Sequence, residues 1–411
     1  MANNIINPTV IAKEALAQLD NNLVIGNNVH REYKKEFVKV GDSVNIRRPV
    51  KFFTSDGATR VNQDVEERNT SLTIDQRKHV SWGFSTQDLT LSIEQYSERY
   101  IKPAMITLAN TIDQSLYGLY NKVWNSVGTP GTTPAAFSSV SPVAQRLDEM
   151  AVPNDGMRYL ALNPAAQYSI AGDQVGLEDS GKVKSAYEAA KIGRIATMGA
   201  FSAQNVKSHT VGALGGTPLV DGAGQATTYA SSGDANQQTL NVKGWSNSVP
   251  GVVKAGDVFT IAGVYAVNPV PGEGSTGKTV LPYLQEFVVK ADADSDGTGD
   301  AALTISPAII TSGPYQTVSA APADNAAITV RGTAATAYPQ NMGFHKNAFA
   351  LVTCPLEMPD GVSFKARETH NGLSVRVVKD YDIDADTDII RLDVLFGKKD
   401  IYPDLACRLW G

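Results

Sequence analysis

A break in composition near Val211 constrains the fold more than any other feature of this sequence. From Val211 to Pro339 the chain is rich in Gly, Ala, Ser, Thr, Asp and Val, and helical periodicity almost disappears. Short apolar runs recur between turn signals at 257–262, 286–290, 303–305 and 327–330. Several short strands at such spacing predict a small antiparallel barrel or sandwich. Before the break the chain carries long helical stripes, and after Asn341 strand-like runs resume at 349–353, 373–379 and 389–396. Residues 211–340 therefore read as one domain inserted into another. A host tolerates insertion where its two ends lie close together at the surface.

The flanking parts have their own logic. Residues 7–20 predict a short amphipathic helix, capped by Asn7 with Pro8 at its first position. Ile11, Ala12, Ala15, Leu16 and Leu19 fall on one stripe. A helix of this length is marginal alone, so its apolar face needs a partner, either its own domain or a neighbouring subunit. From 37 to 82 the pattern is strand-like around a polar middle, 54–69, which mixes Asp56, Arg60, Asp64, Glu66, Glu67 and Arg68 with few large apolar residues. This predicts a two-stranded arm with a charged tip, which requires support from another surface. Over 93–127, Ile101, Met105, Leu108, Ile112, Leu116, Leu119 and Val123 draw one continuous apolar face. That spacing predicts a spine helix of about 25 residues, roughly 37 Å long at about 1.5 Å per residue. Tyr117, Tyr120 and Trp124 on it are packing residues. Between 140 and 210 the pattern is mixed, with helices expected at 142–150 and 182–192 around a short strand at 159–162.

Composition narrows the function classes. Thirty-six Lys and Arg against 42 Asp and Glu give a formal charge of −6. Nucleic-acid affinity rests largely on phosphate neutralisation, so an acidic chain is a poor dedicated DNA binder. Two cysteines, Cys354 and Cys407, and five histidines leave little for a disulfide scaffold or a metal centre. No run of about 20 apolar residues predicts a membrane span, and no signal peptide is expected at the start.

Two motifs invite chemistry. Gly272-Glu273-Gly274-Ser275-Thr276-Gly277-Lys278-Thr279 matches the phosphate-binding loop pattern. Such a loop needs a parallel strand before it and a helix N-terminus after it, facing the anion. Pro269 and Pro271 precede this one, and Pro282 stands where the helix should run. A Gly/Ser loop is the expected reading, with a nucleotide-binding enzyme built on Lys278 as the alternative. Asp292, Asp294 and Asp296, followed by Gly297, open like a calcium loop, but Leu303 occupies position twelve, where a bidentate glutamate belongs. A tight turn explains these residues; a weak cation site is the competing reading, and the same holds for Asp382, Asp384, Asp386 and Asp388. The cysteines and histidines form no catalytic pattern, so no enzymatic activity and no cofactor is expected.

In its organisation the chain resembles the major coat proteins of tailed bacteriophages, in the podovirus-type branch of the Hong Kong 97 capsid fold that carries an extra β-barrel. The resemblance rests on the arm at 7–20, the loop led by Val40-Gly41-Asp42-Ser43-Val44-Asn45-Ile46-Arg47-Arg48-Pro49, and the spine from Ile101-Lys102-Pro103-Ala104 through Asp113 to Val123. Within the insert it rests on residues 254–264, Phe287-Val288-Val289 and Leu303-Thr304-Ile305-Ser306-Pro307.

The resemblance implies an α+β fold with an N-terminal arm (1–35), an extended loop (36–82), a peripheral-domain spine (83–134), an axial domain (135–210, returning at 341–375), an inserted β-barrel (211–340) and peripheral strands (376–411). It implies a non-enzymatic coat protein that self-assembles as pentamers and hexamers into an icosahedral shell in the host cytoplasm. Its implied partners are copies of itself, a scaffolding protein, a portal and packaged double-stranded DNA, with no membrane. Subunit contacts are expected at Ile11, Leu16, Leu19, Arg47, Arg60, Glu66, Glu67 and Arg68. The polar loop at 222–238 is the candidate for bridging capsomers, though it lacks the charge for salt bridges. The specific Lys–Asn pair of the crosslinking branch is not found.

Overall fold

The computed structural model describes residues 8–31, 43–52, 57–60, 62, 65, 68–85, 97–176, 180–228, 236–271, 278–362, 364–383 and 387–411. The chain divides into two units. Met1–Asn45, Ser71–Tyr117 and Phe349–Lys399 form the first; Ile46–Thr70, Gly118–Ala348 and Asp400–Gly411 form the second.

In the first unit the helix Pro8–Asn22 buries Ile11, Ala12, Ala15, Leu16 and Leu19. It packs on the helix Lys102–Tyr117 and on the strands Phe364–His370 and Leu373–Asp382. Those strands continue antiparallel through Thr387–Asp400 to Gln76–Ser85. Alternation puts Leu373, Val375, Val377, Ile390, Leu392, Val394 and Phe396 on one buried face. Asp113, buried on the spine helix, accepts from the backbone N–H groups of Val24 (2.8 Å), Ile25 (3.3 Å) and Gly26 (2.9 Å). These bonds pin the turn that follows the first helix. Burial nevertheless raises the Asp113 pKa above the usual carboxylate range, against the lowering by those N–H groups and by Arg31.

The spine is shorter than the periodicity predicts. A π-helical turn at Ser97–Ile101 leads into an α-helix of 16 residues, and a 3₁₀ turn, Gly118–Lys122, follows. At about 1.5 Å per residue the α-helix spans about 24 Å. Gly118 marks the change, since glycine holds an α-helix poorly and a tighter turn satisfies the last carbonyls. The apolar stripe runs on regardless: Leu119, Tyr120, Val123 and Trp124 are all buried. Residues 93–96 lie outside the described ones.

The second unit holds two sheets. One is ordered Ser126–Val127, Ala406–Trp410, Ala337–His345, Arg158–Leu162, Met198–Ser202, Arg194–Ile195, with Ser208–Thr210 also on Ala337–His345. Val140, Val143 and Leu147 of the helix Phe137–Glu149 pack over it with Leu160, Leu162, Met198 and Leu409. Gly343 lets that helix approach, because Val143 occupies the place where a Cβ would sit. The other sheet is the insert, ordered Ile328–Val330, Val258–Pro271, Lys278–Val289, Ala301–Ser306, Gln238–Trp245, Gly216–Val220. A bridge between Leu219 and Ala327 nearly closes it into a barrel. Val220, Leu240, Val242, Phe259, Ile261, Phe287, Val289, Leu303 and Ile305 fill its core. The insert leaves and rejoins the host at one place, where Thr210 pairs with Ala337. The fold is thus α+β with an inserted, nearly closed all-β barrel.

Candidate functional site

The residues predicted for subunit contact separate into two groups. Ile11, Leu16 and Leu19 are 4%, 4% and 0% exposed and belong to the core of the first unit. Their assignment to an intersubunit contact is corrected here: the chain's own sheet and spine helix supply the cover that the helix needs. Arg47 and Arg60 are exposed. Arg68 opens the strand Arg68–Thr73, which pairs with Ser43–Arg48 as a two-stranded ribbon. Glu66 and Glu67 lie outside the described residues, as do positions 54–56, 61, 63 and 64 of the charged tip; positions 57–60, 62 and 65 are exposed and Asn69 is half-buried. Where the strand Ser43–Arg48 ends and the chain runs on toward the tip, the Lys51 N–H donates to the Tyr315 hydroxyl at 3.4 Å, and Arg48 stacks over the Tyr402 ring at 5.2 Å.

The two chemical motifs are structural where they are described. Lys278 is buried, and its ammonium donates to the Gln316 carbonyl at 3.0 Å. An antiparallel strand, Lys278–Val289, stands where a phosphate loop would need a helix. The intervening 272–277 lie outside the described residues. In the acidic turn, Asp292 accepts from the Ala255 N–H (2.8 Å) and Asp294 from that of Gly251 (2.6 Å). Asp296 accepts from the N–H groups of Thr298 (2.8 Å) and Asp300 (2.9 Å). The Asp300 N–H, with Thr298, holds Asp296 below the usual carboxylate range. Asp292 and Asp294 thereby tie the turn to residues 251–255, while Asp296 closes the turn on itself. Among the described residues no cluster of three metal-ligating side chains occurs.

The structure does assemble one polar constellation that the sequence did not disclose. At the seam between host sheet and barrel, His209 Nε2 lies 2.7 Å from Asp257 Oδ1, and its Nδ1 lies 3.2 Å from the Tyr120 hydroxyl. Asp257 Oδ2 also accepts from the N–H groups of Gly212 (3.1 Å) and Lys254 (2.7 Å). Arg408, fully buried, donates from Nε to the Val123 carbonyl and from Nη1 to that of Gly256, both at 2.8 Å. Burial pulls its pKa down to about 10. Glu286 of the barrel accepts from the Ser126 N–H at 2.5 Å and its hydroxyl at 3.1 Å, and pairs with Arg331 at 2.7 Å. Arg146 stacks over the Tyr283 ring at 3.6 Å.

A histidine between a carboxylate and a phenol resembles a proton relay. Here Tyr120, His209 and Asp257 are 9%, 3% and 1% exposed and are packed around by Trp410, so no substrate reaches them. The constellation is a seal. Its sequence trace is slight: Asp257, Glu286 and Arg408 are charged residues adjoining apolar strand runs.

The family described as P22 coat protein, gene protein 5, matches residues 1–411. The major capsid protein of Acyrthosiphon pisum secondary endosymbiont phage 1 is 23% identical over 427 residues, covering 100% of both chains. Among solved structures, one of Mycobacterium phage Che8 is similar at 15% identity, with a TM-score of 0.48, over 94% of this chain and 90% of the other. The capsid structure of cyanophage P-SCSP1u is similar at 11% identity, with a TM-score of 0.45, over 91% and 84%.

Proposed function

Because this chain belongs to the P22 coat protein family over residues 1–411, we propose that it is the major capsid protein of a tailed phage, copies of which close into an icosahedral shell of pentamers and hexamers around double-stranded DNA. The whole-length family match carries this reading. The exposed positions of the 54–69 tip, Arg60 among them, support it, since symmetric assembly offers a partner surface to every copy. The role is structural and non-enzymatic, and the mature protein resides in the virion after assembly in the host cytoplasm. A scaffolding protein directs closure, and a portal admits the DNA. Mild acidity suits an inner wall that must not grip the packaged duplex.

Within the subunit, the first unit with the ribbon corresponds to the arm, extended loop and peripheral domain of the Hong Kong 97-type plan. The host sheet of the second unit corresponds to the axial domain. Residues 222–238 on the barrel form the capsomer-bridging loop. Its described start is set by Gln225, whose amide donates to the carbonyls of Asp221 and Asn241 and accepts from the Asn241 N–H. Sedimentation velocity of the purified chain, with and without a co-expressed scaffold, tests the reading. Particles far larger than a monomer are expected with the scaffold present. A chain that stays monomeric in both arms contradicts it.

A further inference from the structure

The hairpin that joins Phe364–His370 to Leu373–Asp382 turns on two residues, Asn371 and Gly372. His370 pairs with Leu373 across it, and both turn residues carry a positive φ, +49° and +77°. Asn-Gly suits such a turn because neither residue is strained there. At 372 a glycine is required twice over: besides its φ, an added Cβ would stand 3.3 Å from Arg31 Cβ.

The first helix reaches this turn. Asn371 is exposed, and its side-chain amide donates to Asp20 Oδ1 at 3.3 Å and Oδ2 at 3.2 Å. Arg31 donates from Nη1 to Asp20 Oδ1 and to the Asn371 carbonyl, both at 3.3 Å. Thr353 Oγ1 donates to the Gly372 carbonyl at 2.8 Å. Asp20, Arg31 and Thr353 thus hold the turn by its side chain and both its carbonyls.

An asparagine followed by glycine carries its own reagent. The backbone nitrogen of the glycine can attack the side-chain carbonyl carbon, unshielded by any Cβ. That nitrogen loses its proton, the new C–N bond closes a succinimide ring, and the amide nitrogen leaves as ammonia. Water then opens the ring at one carbonyl or the other, giving aspartate or isoaspartate. Asn371-Gly372 is the one Asn-Gly pair in this sequence.

We infer that Asn371 is a site of spontaneous deamidation, restrained by its contact with Asp20, and that the product loosens the first helix from the hairpin. Ring closure requires the amide to leave Asp20 and swing onto the Gly372 nitrogen, so only the opened turn reacts. An aspartate at 371 keeps the turn, since Asp-Gly suits the same geometry. It also sets a second carboxylate against Asp20, where a donating amide stood. The two acids then share Arg31, and like charges at hydrogen-bond distance repel. His370, adjoining in sequence, is the other titratable group at the turn.

Incubation of the full-length chain at mildly alkaline pH, with peptide mapping by mass spectrometry, tests the site. Conversion at 371, as aspartate and isoaspartate together, is expected to exceed that at every other asparagine. Asp20→Ala is expected to quicken it about fivefold, because a hydrogen bond no longer holds the amide. Thermal melts verify folding, and Asp20→Asn replaces that variant if it unfolds. A second arm reads the product through Asn371→Asp, with Asn371→Gly as the uncharged variant that keeps the turn. The melting temperature of Asn371→Asp relative to Asn371→Gly is expected to rise as pH falls, since acid neutralises one of the paired carboxylates. Residue 371 staying intact while other asparagines convert overturns the site. An Asp20 variant that converts no faster overturns the restraint, and a melting difference that ignores pH overturns the effect of the product.

Discussion

Arg408 donates from Nη1 to the carbonyl of Gly256 at 2.8 Å, joining the last strand of the host sheet to the residue that precedes the barrel's Asp257. With Glu286 and Asp257 it makes the seam between insert and host a buried polar network rather than a greasy contact. Such a network demands that its members be present together. Removing one partner strands another in a medium that solvates charge poorly.

Arg408→Ala is accordingly expected to cost about 3–5 kcal/mol, and Glu286→Ala about 1–3 kcal/mol through the buried Ser126 N–H left without its acceptor. Chemical denaturation with both barrel and host probes measures it. The two probes should shift together, because the seam is shared. A shift confined to one probe would mean that the barrel is independent of its host.

Asp113 makes a second prediction. Replacing it with alanine leaves the N–H groups of Val24, Ile25 and Gly26 without their acceptor. A buried donor left unpaired costs about 1–3 kcal/mol. The urea midpoint should fall accordingly, and amide exchange should quicken first at residues 24–26.

Acid sensitivity follows from Asp393. Burial alone would raise its pKa, but Arg376 and Arg391 hold it below the usual carboxylate range. The folded state thus binds this proton more weakly than the unfolded chain. Its contribution is present above the ordinary carboxylate pKa of about 3.9 and is lost as pH falls through the lower, folded value. Thermal melts from neutral to strongly acidic pH should show that loss in the unaltered chain. Asp393→Asn should be less stable near neutrality and should decline less steeply with acid.

Lys278 separates the two readings of its motif. The ammonium is committed to the Gln316 carbonyl, so Lys278→Ala should destabilise the barrel by about 1 kcal/mol. ATP with magnesium should leave the melting temperature of either form unchanged. Calcium should do likewise, since Asp292, Asp294 and Asp296 are already occupied by backbone N–H groups. A ligand-dependent rise in either case would restore a binding role.

The inserted barrel was legible because composition and turn spacing report local chemistry. The expected runs at 257–262, 286–290 and 303–305 became strands that extend further than their apolar cores, as in Val258–Pro271 and Lys278–Val289. No separate apolar run marked Gly216–Val220 within the insert or Ala406–Trp410 within the strands expected over 376–411. Each is short, and each owes its strand geometry to neighbours distant in sequence. The spine's stripe was correct in phase and wrong in helix type, because periodicity does not register a local tightening at Gly118. For Ile11, Leu16 and Leu19 the pattern revealed an apolar face but not which surface covers it. The seam of Tyr120, His209, Asp257, Glu286 and Arg408 left only a slight trace in the sequence, since its members converge from five separate stretches of chain.

The central claim is that copies of this chain close around a volume. Electron microscopy of the chain purified after co-expression with its scaffold tests it most directly. The account predicts closed, uniform icosahedral particles whose reconstruction places the 54–69 tip against an adjacent subunit. A homogeneous population of free monomers, or a reconstruction in which that tip touches only its own chain, would contradict it.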